Sequence, residues 1–138
     1  PDGSRGNYAD ATTDFPWRDV RHNDGWFAVA PVGSYPAGAT PEGLLDMGGN
    51  VGEWTKTRCE GYIAPEDGHI WDYAQMKEQI PEADLPPPIT MYAVRGGSWQ
   101  TAADDLHGAD ARMLLPEIRN DAQGFRCVRD IAEEGAVQ

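Results

Sequence analysis

Val94-Arg95-Gly96-Gly97-Ser98-Trp99, followed further along by Gly124-Phe125-Arg126-Cys127, is the stretch that decides how this chain folds. Paired glycines permit close backbone approach or a positive φ, Ser98 can cap or bridge a turn, and Trp99 has the size of a core anchor. Upstream stands a third block of the same kind, Leu44-Leu45-Asp46-Met47-Gly48-Gly49-Asn50-Val51-Gly52-Glu53-Trp54. None of the three keeps the 3.6-residue period of an amphipathic helix over any length. Short extended segments, tight turns and single large aromatics therefore carry the architecture.

Composition points the same way. Sixteen glycines, eleven prolines and five tryptophans in 138 residues describe one loop-rich domain large enough to bury a core. The net charge of −12, from 23 acidic against 11 basic residues, disfavours nucleic acid and anionic membrane. It favours cations or basic partners, and it also keeps a protein soluble. No apolar run approaches the roughly 18 residues that span a bilayer, so membrane insertion is not expected. The chain opens on Pro1 with no signal-peptide core behind it, which reads as a processed product or a fragment. Cys59 and Cys127 are too few for a disulfide scaffold; one bridge and two free thiols both remain open.

Along the chain, residues 1–30 carry Phe15, Trp17, Trp26 and Phe27 without a regular period, which indicates ordered loop rather than disordered tail. Ala30 to Pro36 is expected to be extended, because each proline pushes its predecessor toward β or polyproline geometry. From Gly43 a short segment turns at Gly48-Gly49 and returns as a strand over 51–57. Residues 60–91 read as an insertion. It holds a helix starting at Asp67-Gly68, with Ile70, Trp71, Ala74 and Ile80 on one face, stopped by Pro81 and followed by the stiff Pro86-Pro87-Pro88. A strand over 92–94, a helical turn over 104–111 and a strand over 125–129 follow, then a frayed tail over 132–138. These elements make a single domain over 1–131, of irregular α+β class.

Asp46, Asn50 and Glu53 place three oxygen-bearing side chains close together, and Gly48-Gly49 can fold the backbone to aim carbonyls inward. Hard cations such as calcium take about six to eight oxygens of this kind. The spacing is not that of an EF-hand loop, and a turn in which Asp46 and Asn50 bond neighbouring amides suits the same residues. Asn7 and Asp24, taken alone, read as Asx-turn residues.

In combination and in this order, the three blocks resemble the C-terminal half of the formylglycine-generating enzyme / sulfatase-modifying factor family, over residues 7–58 and 92–129. The resemblance implies a C-type-lectin-like α+β fold with long loops and one or two calcium ions. One ion would be held by Asp46, the carbonyls of Gly49 and Val51, and Glu53. The other would be held by Asn7, the carbonyl of Tyr8, Asp24 and the carbonyl of Trp26, more weakly because that set has one carboxylate. The resemblance further implies that Arg112 and Arg126 are buried against carbonyls and carboxylates, and that Cys127 is structural. Gly52 stands where relatives carry a large aromatic, which leaves a gap beside Trp54.

Catalytic members of that family have a cysteine pair after the Gly-Gly-Ser block, where thiolates bind copper(I) and carry the redox step. Here the stretch is Gln100-Thr101-Ala102-Ala103-Asp104-Asp105-Leu106-His107, without a thiol. Formylglycine formation is therefore not expected. His22, His69 and His107 lack the spacing of the iron ligands used by the ergothioneine-synthase branch. Nothing marks Ser98 as the nucleophile of a triad with His107 and Asp104.

The expected function is a non-catalytic, calcium-stabilised binding or scaffold module for a protein or other macromolecule, with a second chain or an N-terminal half completing the domain. Its expected surface is the 100–123 loop together with the 60–91 insertion. Two alternatives stand beside it. One is a fragment of a metal-dependent oxidoreductase completed by that missing half or by a partner chain. The other is a hypervariable ligand-binding protein of diversity-generating-retroelement type, whose variable positions would include Gln100, Asp104, His107, Asp110, Asn120 and Asp121.

Overall fold

The structure, a computed structural model, describes residues 3–63, 68–108 and 110–129. Its strands are β1 (Gly52–Ile63), β2 (Ile70–Trp71), β3 (Ile89–Arg95), β4 (Ala111–Leu114) and β5 (Gln123–Gly124), with one helix, α1 (Tyr73–Gln79). The sheet order is β2-β1-β3-β4, all antiparallel, while β5 pairs in parallel with the first residues of β1. The rest is turn and loop, including 3-10 turns at Pro36–Gly38, Glu82–Asp84 and Ala103–Asp105. This is the irregular α+β architecture that the glycine and proline content implies.

The central pair is β1 with β3, running from Glu53 opposite Arg95 to Gly61 opposite Ile89. Met91, Ala93 and Val94 of β3 are buried, because the strand lies between two neighbours. The register slips between Trp54 and Arg58, forming a bulge in β1. Pairing this far carries β1 well beyond residue 57. Residues 60–61 and 89–91, read from sequence as part of an insertion, thus belong to the central ladder, and residues 62–63 continue β1 against β2.

Loop contacts draw the three diagnostic blocks together. Asn50 donates its backbone N–H to the Asn7 carbonyl at 2.7 Å, and Trp99 donates to the Asn50 carbonyl at 3.0 Å. Gly49 donates to the Gly96 carbonyl at 2.7 Å. The approach is close enough to require glycine: at φ +87°, a Cβ on Gly49 would lie 2.2 Å from the Asn7 carbonyl oxygen. Trp99 is buried as expected, with Phe15 and Phe27 tilted against it at centroid distances of 5.8 and 6.2 Å. Trp17 stacks on Phe15 at 5.0 Å and is more than half exposed. The opening loop is thus ordered by a small aromatic cluster built on one buried ring.

Several local expectations change. The helix begins at Tyr73, because Asp72 forms a capping box with Gln75: the Asp72 side chain accepts the Gln75 N–H, and the Gln75 side chain accepts the Asp72 N–H, both at 2.9 Å. Ile70 and Trp71 instead form β2, opposite Ile63 and Tyr62. The buried helix residue is Met76. Pro81 does follow the helix end at Ile80. The turn expected over 104–111 is a 3-10 turn followed by β4. Residues 125–129 form no strand: the pairing with β1 ends at Glu53–Gly124, and Phe125 and Val128 are 75% and 86% exposed. Asp67 and the 132–138 tail lie outside the described residues.

Candidate functional site

Glu53 stands at the start of β1, and Asp46 on the loop before it holds φ +56°. Asp46 Oδ2 accepts the Gly33 N–H at 2.7 Å. Its Oδ1 is buried without a hydrogen-bond partner among the described residues. An orphaned buried acceptor costs free energy unless something electropositive approaches it. Arg126 reaches in from the C-terminal segment: its Nε donates to Glu53 Oε2 at 2.6 Å, and one terminal nitrogen bonds Glu53 Oε1. The same guanidinium donates to the carbonyls of Leu45 and Asp46, each at 3.1 Å. The bond to Glu53 raises the Arg126 pKa above its ordinary range.

These residues fit a hard cation in part. Asp46 offers an anionic oxygen with no donor on it, and Glu53, though bidentate on Arg126, has lone pairs left, since a carboxylate offers about four acceptor sites. Among the described residues no three His, Cys, Asp or Glu side chains group as a metal cluster. A cation here would therefore draw the rest of its shell from backbone carbonyls such as those of Gly49 and Val51.

The Asn7 set is bonded differently. Asn7 is 1% exposed and donates Nδ2 to the Ala28 carbonyl at 2.6 Å and to Asn50 Oδ1 at 3.4 Å. The Asp24 carboxylate accepts the Trp26 N–H at 2.8 Å and the Tyr35 hydroxyl at 2.5 Å. The Trp26 carbonyl accepts the Thr12 hydroxyl at 2.7 Å. Internal donors thus already serve Asp24 and Trp26. Burial, and then the Asp24 carboxylate, push the Tyr35 hydroxyl pKa far up.

Asp10, 2% exposed, organises this corner and is not singled out by the sequence reading. Its Oδ1 accepts the backbone N–H and hydroxyl of Thr12, and its Oδ2 accepts the Asp24 N–H at 2.6 Å. An Asp two residues before a Thr is an Asx-type turn signal that would have flagged it. Asn50 also does more than shape its own turn: it clasps Ala30, accepting its N–H at 2.9 Å and donating to its carbonyl at 3.2 Å.

After Gly-Gly-Ser-Trp, Thr101 is buried and its hydroxyl accepts the Ser98 N–H at 2.9 Å. Cys59 and Cys127 are both free, the first half-buried in β1 and the second exposed. The positions read as variable fall in three places. Gln100, Asn120 and Asp121 gather beside Trp99: Gln100 Nε2 donates to Asp121 Oδ1 at 3.4 Å, and the Trp99 indole donates to the Asp121 carbonyl at 3.2 Å. Asn120 accepts the Ala122 N–H at 2.9 Å. Asp104 lies with Trp17 and Asp19 around a separate depression. His107 accepts the Asp110 N–H at 3.0 Å through its carbonyl, and Asp110 faces the cavity beneath Gly52.

That cavity, about 270 Å³, lies between Gly52, Val94, Ser98 and Gln123, whereas Trp54 lines a different one. Gly52 borders this cavity rather than the one beside Trp54, and a Cβ on it would lie 2.7 Å from Val94 Cγ1, so it leaves no gap beside Trp54. Arg112 departs from expectation too. It is exposed on β4, the edge strand of the sheet, and its side chain has no hydrogen bond or ion pair among the described residues.

The model of the sulfatase-modifying factor enzyme 1-like domain matches residues 2–131. Serine/threonine-protein kinase Pkn1 of Chlamydia trachomatis serovar L2 is 38% identical over 104 residues, covering 75% of this chain and 15% of the kinase. The formylglycine-generating enzyme of Mycobacterium tuberculosis is 34% identical over 122 residues, covering 84% of this chain and 38% of that enzyme. The inactive C-alpha-formylglycine-generating enzyme 2 of Bos taurus is 30% identical over 118 residues, covering 82% of this chain and 30% of that protein. The chain therefore spans well under half the length of these relatives. No solved structure matches it.

Proposed function

This chain belongs to the sulfatase-modifying factor enzyme 1-like family, and from that premise we propose that it is a non-catalytic, calcium-stabilised binding or scaffold module of C-type-lectin-like fold. The observation that carries this reading is the fate of the residues after Gly-Gly-Ser-Trp. Where thiolates would be needed for copper-dependent oxygen chemistry, the segment from Gln100 to His107 offers none, and Thr101 is committed to the Ser98 turn. Family membership alone does not entail activity, since a relative bearing the word inactive in its name belongs to the same comparison.

Asp46, Glu53 and the carbonyls of Gly49 and Val51 are the ligands for a first calcium ion, supported by the unpartnered Asp46 Oδ1. Asn7, Asp24 and the carbonyls of Tyr8 and Trp26 are a weaker second set. The bound partner is a protein or other macromolecule rather than nucleic acid or membrane, in keeping with the acidic surface. A second chain or an N-terminal segment completes the single domain over 1–131, and exposed Trp17, Phe27 and Phe125 provide apolar surface for it. The scatter of Gln100, Asp104, His107 and Asp110 over separate places favours a scaffold over one hypervariable face.

Thermal melting of the full chain in a chelator and in excess calcium tests the reading. At about one hundred times the dissociation constant, calcium stabilises by about 2.7 kcal/mol. Asp46→Asn is expected to abolish most of that response. Identical melts in both conditions, with no heat on calorimetric titration, would remove calcium from the account. Oxygen uptake with a cysteine-containing peptide and copper(I) would remove the non-catalytic part.

A further inference from the structure

We propose that the cavity at the start of β1 is a binding site for a small organic anion, one with a carboxylate, sulfate or phosphate head on an apolar or aromatic body. The cavity has a volume of about 660 Å³ and lies between the first turn of β1, the end of β3 and the segment around Arg126. That volume falls in the range of sites that enclose small molecules.

Its charge is opposite to that of the protein. Lys56, Arg95, Arg126 and Arg129 line it, against the carboxylates of Asp46 and Glu53. Four of the 11 basic residues in a chain of net charge −12 thus converge on one opening. Arg126 and Glu53 neutralise each other. Lys56 and Arg129 are exposed and make no ion pair among the described residues, so their charge is available. The surrounding acidity does not cancel this, because in physiological salt charges are screened beyond about 8 Å, a length that a ligand inside the cavity does not exceed from its lining.

The apolar half is equally local. Trp54 contributes a half-buried indole, and Met47 and the largely exposed Val128 stand at the same opening. Trp54 and Lys56 share this wall because residues two apart on a strand point to the same face. Between Trp54 and Arg58 the ladder with β3 is interrupted, and Thr55 holds the distortion by donating its hydroxyl to the Ala93 carbonyl at 3.0 Å. A cation beside an indole, with Met47 and Val128 at the same opening, suits a ligand with a charged head and an apolar body. The inference goes beyond the proposed binding role and does not depend on calcium, since its cations are side chains.

The test is titration of the full chain with phenyl phosphate, phenol and inorganic phosphate, followed by tryptophan fluorescence and calorimetry in a chelator and again in calcium. Phenyl phosphate is expected to bind at least about tenfold more tightly than either half alone, because charge and apolar contact add for separate parts of one ligand. Raising sodium chloride from about 0.05 to about 0.5 M weakens it several-fold as the screening length shrinks. Lys56→Glu and Arg129→Glu each weaken it about fivefold or more at low salt, with melting temperatures near the parent's. Should either reversal disturb folding, Lys56→Gln and Arg129→Gln serve in its place. Phenol binding as well as phenyl phosphate, or inorganic phosphate binding as well, overturns the proposal, as does binding unchanged in both charge variants. Binding retained in the chelator supports it whatever becomes of the calcium reading.

Discussion

Replacing Arg126 with alanine removes a guanidinium that ties together both oxygens of Glu53 and the carbonyls of Leu45 and Asp46. Hydrogen bonds to charged groups contribute about 1.5–3 kcal/mol each, and breaking a fully buried ion pair from one side costs about 3–5 kcal/mol. The Arg126 and Glu53 side chains keep 32% and 20% of their exposure, so water takes over part of what is lost. The expected destabilisation is therefore about 2–4 kcal/mol, or a fall of about 10 °C in melting temperature for a domain of this size. Urea unfolding at neutral pH measures the first quantity and a thermal scan the second. A double-mutant cycle with Glu53→Gln isolates the pair, with an expected coupling of about 1–3 kcal/mol. A loss below about 1 kcal/mol, or a coupling near zero, would refute the view that this clamp holds the C-terminal segment to β1.

Other consequences follow from single contacts. Gly49→Ala is expected to cost about 3 kcal/mol or more, because its Cβ would strike the Asn7 carbonyl at 2.2 Å from a left-handed backbone. Gly52→Ala brings its Cβ to 2.7 Å from Cγ1 of the buried Val94 and should cost about 1–3 kcal/mol, less than Gly49→Ala; equilibrium unfolding in the reverse order would contradict the packing described. The Asp19 carboxyl is held well below its ordinary value of 3.8, first by hydrogen bonds from the Arg21 side chain and backbone. A depressed carboxylate contributes stability above its unfolded pKa and loses it as pH falls through the lower folded value. Asp19→Asn should therefore melt below the parent at neutral pH, with the gap closing in strong acid; parallel pH profiles would disprove it. Tyr35→Phe removes a hydroxyl bonded to Asp24 at 2.5 Å and should cost about 1–3 kcal/mol, checked by urea unfolding. In alkaline spectrophotometric titration, the parent's Tyr35 should stay protonated where ordinary tyrosines ionise.

The helix shows how local legibility works. Pro81 and the apolar positions announce its existence and its end, since a proline acts on the backbone beside it. Its start depends on whether Asp72 or an earlier residue wins the cap, and the pairing of Ile70 and Trp71 with β1 decides that. The alternation in 125–129 was misleading for a related reason. A strand needs a partner edge, and among the described residues this segment meets β1 at Gly52 and Glu53, through Gln123 and Gly124. Arg112 and Arg126 differ in the same way. The two arginines look alike in sequence, yet one faces open solvent on an edge strand and the other closes on Glu53.

From the sequence alone came the family, the irregular α+β class and the absence of thiols after Gly-Gly-Ser-Trp, because each rests on residue identity within a short window. The tertiary structure alone decided which groups are held by others. That Asp24 already accepts from Tyr35 while Asp46 keeps an oxygen unpartnered among the described residues depends on how separate loops meet. So is the gathering of Lys56, Arg95, Arg126 and Arg129 around Trp54 in an acidic protein. Charge and hydrogen-bonding capacity are written residue by residue; whether they are satisfied depends on distances that only the folded chain sets.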